Sequence, residues 1–449
     1  MNNGELYDVV VEKLTSSGEG LAKVNGVVVF IENACPKDKL RIKISSVNKN
    51  FCRARIEQVL EKSELRVKPF CPMHNVCGAC QLQHIDYNYQ LEVKKQIVED
   101  AMRSIANLNI GVPLTIPSPD NMRYRHKIQY PVGQTKNSKR ILAGYYKPHS
   151  HEIVNIKYCP IQPEICDSII DFIRINARKY GIDAYCEKSN KGMLRHVLIR
   201  HSNKTSKNLV CLVVSGDVNE SLSKFAKFLY DSFVEISGVC ININSKKTNV
   251  ILGADTKCVA GEEYVEEEIC NKVFHIGADT FFQINPLSAQ NIFNYIRNFV
   301  RANYYAPVIL DAYAGISAIG ICLSDVAKKV VSVEENLKSV ELAHKTVELN
   351  NISNVEIHGG DAAEFFKTLN GNEFDIIVLD PPRKGCTLQS LDYSMKLCKG
   401  HIVYVSCNPA TLARDLKYLV SKGCKVESVQ PFDMFCHTCH VENVAIIKV

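Results

Sequence analysis

The residue best equipped for covalent chemistry is Cys407. It closes the apolar strand-like run Val403-Tyr404-Val405-Ser406-Cys407, which passes through Asn408-Pro409-Ala410-Thr411 into a helical run, Leu412–Ser421. Asn408 is a good helix N-cap and Pro409 a good first helical residue. Cys407 therefore sits at the carboxyl end of a strand and beside a helix N-terminus. The helix dipole there favours the thiolate, which is the nucleophilic form. A thiolate that adds to a ring needs a partner to move a proton. The run His437-Thr438-Cys439-His440-Val441-Glu442 offers His437, His440 and Glu442. Asp380, in Asp380-Pro381-Pro382-Arg383, ends another strand-like run. A buried core thiol is the bland reading of Cys407; the company of Asp380 and Glu442 argues against it.

A second group of residues reads as a cofactor loop. The strand Val308–Asp311 runs into Asp311-Ala312-Tyr313-Ala314-Gly315-Ile316-Ser317. Gly315 lets the backbone approach a ligand, and Glu334, nineteen residues further on, is placed to hold two ribose hydroxyls. Asp361, after the third strand, is placed to reach an adenine edge. This logic serves NAD and S-adenosyl-L-methionine alike. The pyrophosphate of NAD favours G-x-G-x-x-G, which is missing, so the lone glycine favours the methyl donor. A thiolate and a methyl donor together make sense on uracil. C5 of uracil is a poor nucleophile. Thiolate addition at C6 makes C5 an enolate carbon that attacks the sulfonium methyl. A base then removes the C5 proton so that the thiolate can leave. Methylation of an exocyclic amine needs no thiolate and usually shows Asn/Asp-Pro-Pro-aromatic, where this chain has Arg383.

Two further clusters stand apart from that chemistry. Cys71, Cys77 and Cys80 are spaced C-x5-C-x2-C, and the next cysteine, Cys159, precedes Pro160. Three close thiolates and a distant one resemble the ligand spacing of plant-type ferredoxins, and a Cys-Pro pair recurs in cluster ligation; one 4Fe-4S cluster is the expectation. Zinc usually takes two paired knuckles, although His74 and His84 leave it open. Residues 121–151 contain no acid but hold Arg123, Arg125, Lys127, Lys136, Lys139, Arg140 and Lys147, interleaved with Tyr124, Tyr130, Tyr145 and Tyr146. Cations suit phosphates and aromatic rings suit unstacked bases, so this stretch predicts contact with single-stranded RNA through Arg123, Arg125 and Lys127. A solvated hairpin is its bland alternative.

These residues need elements to position them. At 449 residues the chain has room for about three domains. Residues 1–68 read as an OB-like β-barrel, with strand-like runs Tyr7–Val11, Val27–Ile31, Lys39–Ser45 and Cys52–Val59. From Lys37 to Arg55 seven cations face one acid, Asp38, which suits a solvated face or a nucleic-acid contact. Residues 69–265 read as a central α+β iron–sulfur and RNA-binding domain, with helical spacing from Asp86 to Leu108. Residues 266–449 read as βαβ. Val308–Asp311, Val330–Glu334, Asp375–Asp380 and His401–Ser406 are the strands of a doubly wound, Rossmann-like α/β sheet that binds ligands at its strands' carboxyl ends.

Nineteen cysteines scattered through an apparently unexported chain argue against a disulfide framework. No apolar run approaches the ~18 residues of a membrane span, and Met1–Val10 has no signal core. A cytoplasmic monomer with no membrane or protein partner is the expectation. The net charge of +6 is mild; its clustering says more.

Taken together, Asp380-Pro381-Pro382-Arg383-Lys384-Gly385, Ser406-Cys407-Asn408-Pro409-Ala410-Thr411 and Asp433-Met434-Phe435 with His437-Thr438 and His440-Val441-Glu442 resemble the RNA uracil-C5 methyltransferases over the whole chain. Gly18-Glu19-Gly20 resembles part of a TRAM barrel, and Phe281-Phe282-Gln283-Ile284-Asn285 the family's FFQxN segment. The resemblance implies Cys407 as nucleophile, Glu442 as base, and Gln283, Tyr313, Glu334 and Asp380 against cofactor or base, with Asp361 as another cofactor contact. It implies Cys71, Cys77, Cys80 and Cys159 as cluster ligands. It also implies that the helix near 88–108 packs on the catalytic domain. Two departures stand out: Ser317 replaces the last glycine of D-x-[FY]-x-G-x-G, and Cys436 replaces proline in F-P-[HQ]-T. The tRNA-specific branch typically lacks barrel and cluster, so their presence points to 23S rRNA. The rival readings are a non-catalytic iron–sulfur RNA-binding protein, a tRNA uridine-C5 methyltransferase and a nicotinamide oxidoreductase.

Overall fold

The computed structural model describes residues 1–135, 138–187, 189–369 and 371–449, so Lys136 lies outside the described residues. The first 61 residues build a six-stranded barrel-like sheet. Along Lys39–Val47, Leu40, Ile42 and Ile44 are buried while the cations between them face outward, the period-two pattern of a half-buried strand. Val27–Ile31 runs parallel to Phe51–Glu61, and the other pairings are antiparallel. Several of the barrel's cations are already in surface ion pairs: Lys39 with Glu61, Arg41 with Asp8, and Arg53 with Glu19.

A second six-stranded sheet runs in the order Asp255–Gly261, Ile236–Ile243, Asn208–Val214, Leu194–His201, Lys127–Gln134, Ile141–Ala143. Helices Glu164–Asn176 and Glu220–Asp231 cover it, burying Ile169, Ile170, Ile173, Phe225 and Leu229.

The third sheet positions the chemistry. Its seven strands lie in the order Val355–Gly359, Lys329–Glu334, Val308–Ala312, Phe374–Leu379, Cys398–Ser406, Glu442–Lys448, Lys425–Phe432. The first five are parallel, and Glu442–Lys448 is antiparallel to both its neighbours. Buried on both faces, these strands are nearly continuous apolar runs such as Phe374–Leu379, and two separate cores cover the two faces.

One of those cores is completed from far away in sequence. Helix Tyr87–Ala101, capped by the Asp86 carboxylate on the Asn88 and Tyr89 N–H groups, sends Val93, Ile97, Val98 and Ala101 into it. A π-helical turn, Met102–Ala106, continues the contact and closes on Asn107 in the left-handed region.

Candidate active site

Strand register brings the two ends of the chemistry together. Ser406 pairs with Asn443 across antiparallel strands, and Asn443 Nδ2 donates to the Ser406 carbonyl at 3.1 Å. One step beyond that pair, Cys407 and Glu442 emerge side by side at the sheet's ligand-binding edge. The neighbouring parallel strands end there too, at Asp380, at Tyr313 and at Glu334. All of these, with Gln283, Gly315 and Asp361, line one cleft of about 770 Å³, the size of a site for a nucleotide-sized ligand. Phe281, Lys127, Arg383 and Phe435 complete it. Sequence reasoning gave Arg383 and Phe435 no role, although both lie within the motifs it singled out.

The cleft is short of cations. Burial pushes Asp311 and Asp380 up to about 7, and burial together with Asp380 pushes Glu442 well above the usual carboxylate range. Asp311 Oδ2 accepts from the Gly320 N–H at 2.9 Å, while Oδ1 is buried without a partner. A cationic ligand is what such a set of carboxyls lacks. Cys407 is half-buried, and its thiol is pushed up to about 11 by burial and then by Glu442, with the Arg383 guanidinium beside it pulling the other way. The helix N-terminus predicted to favour the thiolate thus operates against the cost of burial.

The cofactor loop takes an unusual backbone path. Tyr313, Gly315 and Ser317 all have φ near +60°. Ser317 occupies a left-handed position where glycine is the undemanding residue, and its hydroxyl meets that of Ser332 at 2.7 Å. The departure from D-x-[FY]-x-G-x-G therefore keeps the turn and adds a buried hydrogen bond. Glu334 receives the Gly315 N–H on one oxygen and the Asn336 N–H on the other, each at 2.8 Å, which fixes its carboxylate at the cleft wall. Asp361 caps helix Ala362–Lys367, and the Tyr313 hydroxyl donates to Ser390 at 3.1 Å. On the opposite wall, Asn285 caps helix Pro286–Asn303 and so anchors the segment bearing Phe281 and Gln283.

The histidines divide from Glu442. His437 is buried and lowered to about 4 by desolvation, hence neutral. The Asn121 carbonyl accepts from its Nε2 at 2.9 Å, so Nδ1 faces the Gln90 amide, 3.3 Å away, as an acceptor. With both nitrogens occupied, His437 is a strut. His440 is exposed beside the Phe435 ring and does not line the cleft.

Away from the cleft, Cys71, Cys77, Cys80 and Cys159 line one small cavity together with His74. Burial pushes Cys80 and Cys159 up to about 12 and raises Cys77. Among the described residues no three His, Cys, Asp or Glu side chains are arranged to hold a single metal ion. Four thiols around a common space suit instead a polynuclear cluster, whose irons each take one thiolate. In that sense the donor set fits a 4Fe-4S group.

The basic stretch does not form one strip. Arg123 is exposed and ion-paired with Glu164. Arg125 lies over the Tyr145 ring at 5.2 Å, and Lys127 opens onto the catalytic cleft. Tyr124 and Tyr130 are buried, so neither offers a face to a base. The alternation of strand Lys127–Gln134 explains Tyr130: it points inward with Ile128 and Val132.

The profile of the tRNA (uracil-5-)-methyltransferases matches residues 86–448, and that of the TRAM domain matches residues 2–56. An uncharacterised RNA methyltransferase of Oceanobacillus iheyensis is 36% identical, aligned over 99% of this chain and 97% of its own. Another, of Bacillus cereus, is 38% identical over 100% of this chain and 98% of its own. Among solved structures, the Pyrococcus abyssi tRNA (uracil-54, C5)-methyltransferase in complex with S-adenosyl-L-homocysteine superposes with a TM-score of 0.76 at 25% identity, covering 98% of this chain and 100% of that one.

Proposed function

This chain belongs to the RNA uracil-5-methyltransferase family and carries a TRAM domain, and on that premise we propose that it methylates C5 of a uridine in RNA, using S-adenosyl-L-methionine, with Cys407 as nucleophile and Glu442 as base. The observation that carries the reading is the pairing of Ser406 with Asn443, which sets a thiol and a carboxyl side by side in the cleft that also holds Glu334 and Asp380.

The residues divide the work. Glu334 and Asp361 bind the nucleoside end of the methyl donor, and the buried carboxyls of Asp311 and Asp380 favour its cationic sulfonium. Arg383 stabilises the Cys407 thiolate as it adds to C6. The target base has to leave any stacked context to reach that thiolate, and Phe281, Gln283 and Phe435 offer it a pocket. Once the methyl is transferred the donor's positive charge is gone, and Glu442, raised by burial, becomes a stronger base for the C5 proton. Cys71, Cys77, Cys80 and Cys159 would hold a 4Fe-4S cluster in a structural role; redox chemistry is not required of it.

23S rRNA is the proposed substrate, since the barrel and cysteine knuckle are features of that branch. A second reading, tRNA, is favoured by one observation: the Pyrococcus abyssi tRNA enzyme covers 98% of this chain, so this architecture also occurs in a tRNA methyltransferase. Methyl transfer to unmodified 23S rRNA and to unmodified tRNA, with the product base mapped, separates the two. 5-Fluorouridine RNA, which has no C5 proton to lose, should trap the wild-type enzyme as a denaturation-resistant adduct. Glu442→Gln should accumulate a methylated adduct on ordinary RNA. If fluorinated RNA gives no adduct, the covalent mechanism is wrong.

A further inference from the structure

The loop that carries Phe435 and leads into Glu442 belongs to the catalytic sheet by sequence, yet it is held from outside that sheet. Lys94, on helix Tyr87–Ala101, is fully buried. Its ammonium donates to Asp433 Oδ1 at 2.5 Å and to the Phe435 carbonyl at 3.0 Å. Asp433 is equally buried, and its other oxygen accepts from the Tyr87 hydroxyl at 2.8 Å, on the same helix. The Asp433 N–H donates to the Ile116 carbonyl, and its own carbonyl accepts from Ser288 Oγ. Further along, the Tyr124 hydroxyl donates to the Cys436 carbonyl at 2.9 Å, and the Leu82 N–H to the His437 carbonyl at 2.9 Å. Leu82 follows Cys80 by two residues, so the cysteine knuckle braces the same loop.

A fully buried ion pair is a costly way to hold two segments together. Desolvation offsets most of the attraction, and apolar side chains of similar volume often stabilise as well. What apolar packing does not supply is direction. One ammonium bonded to a carboxylate and to a carbonyl two residues later fixes both the position and the orientation of the loop.

We propose that Lys94 is a positioning residue for the elimination step: through Asp433 and Phe435 it sets the path by which the chain enters Glu442. The inference rests on the reading of Glu442 as the base. In that step the Glu442 carboxylate takes the C5 proton, the C5–H electrons form the C5=C6 double bond, and the C6–S electrons leave with Cys407 as thiolate. Cys407 follows another strand, one that Lys94 does not touch, so the addition chemistry at C6 is spared; Phe435, which Lys94 holds by its carbonyl, lines the pocket for the base, so a shifted loop weakens RNA binding without slowing addition at saturating RNA.

The test separates addition from release. At saturating RNA, Lys94→Met should add to 5-fluorouridine RNA at close to the wild-type rate. On ordinary RNA it should release product at least about tenfold more slowly and accumulate the methylated adduct, because displacement of a reacting group by ~1 Å costs up to a hundredfold. Tyr87→Phe, a milder change, should move release in the same direction by less. The double variant Lys94→Met/Asp433→Asn leaves no unpaired buried carboxylate and should regain much of the lost melting temperature while keeping the slow release. Two results overturn the proposal: release restored in the double variant, which makes Lys94 a mere neutraliser of charge, or addition and release falling together in every variant. If wild-type enzyme forms no adduct with fluorinated RNA, the covalent reading fails and this one falls with it, whereas a normal wild-type adduct with parallel losses overturns the Lys94 role alone.

Discussion

Cys407 faces an open cleft of about 770 Å³ with a guanidinium and carboxyls beside it, whereas Cys71, Cys77, Cys80 and Cys159 face one another across a small cavity. Burial raises thiol pKa values in both places. In the cleft, Arg383 opposes that rise, and the space accepts a substrate. In the knuckle, Gln83 and Arg125 pull Cys80 down while the neighbouring Cys77 and Cys71 push it up, and burial still leaves the thiol high. The difference teaches that a buried thiol is neither reactive nor metal-binding by itself. What faces it decides which ionised form the protein can use.

The comparison is broken most sharply at Cys407. Cys407→Ala should lower methyl transfer by at least about four orders of magnitude and abolish the fluorouridine adduct, since no other group in the cleft replaces the nucleophile. Iron content should be unchanged; its loss would mean that the two thiol sites are not independent. Anaerobically purified wild-type protein should carry about four irons per chain, and the reverse variant, Cys159→Ser, should lose them. Because Leu82 holds the loop before Glu442, its turnover should fall about tenfold while adduct formation persists. Stoichiometric zinc with no iron in wild-type protein would overturn the cluster, and full iron retention by the variant would remove Cys159 from the ligand set.

A third variant sharpens the electrostatic half of the contrast. With Cys407 pushed up to about 11, its thiolate fraction grows as pH rises toward that value. Adduct formation should therefore accelerate about tenfold per pH unit between roughly 6 and 9. Arg383→Met removes the one cation pulling the pKa down, so its profile should run parallel at about one-tenth the rate. A profile flat across that range would show that the thiolate is formed by other means.

The last expected effect concerns the carboxyls. Asp311 and Asp380, at about 7, are protonated below neutrality and charged above it. Affinity for the cationic methyl donor should rise by about tenfold as pH climbs through 7, while affinity for its neutral thioether product should stay nearly level. Calorimetry in two buffers of different ionisation heat should find proton release on binding the donor. Equal pH dependence for both ligands would place the sulfonium elsewhere.

Much of this was legible in the residues. The parallel strands were apolar runs ending in polar residues, and Asn408-Pro409 marked a helix start, so Cys407 could be placed at a strand end without coordinates. Tyr124 and Tyr130 of the basic stretch were misread because cation-aromatic interleaving looks the same whether the rings face solvent or core. Strand alternation put Tyr130 at 0% exposure. Arg383 was visible as a departure from an amine-methylating motif, but its pairing with a thiol 24 residues away was not.

By itself the sequence determined the periods, caps and turn signals, because these are local: an N-cap, an alternating strand or a glycine after a strand acts within a few residues. It also set the chemical inventory, one strand-end thiol, a C-terminal carboxyl and a four-cysteine set. Residue types and spacing left His437, His440 and Glu442 open, and the family resemblance implied Glu442; the tertiary structure supplied the physical reason, an antiparallel register between strands some forty residues apart that sets Glu442 beside Cys407. It alone joined Lys94 to Asp433 across 339 positions. Pairings of that kind depend on how sheets and helices close on one another, and no short window of residues carries the information.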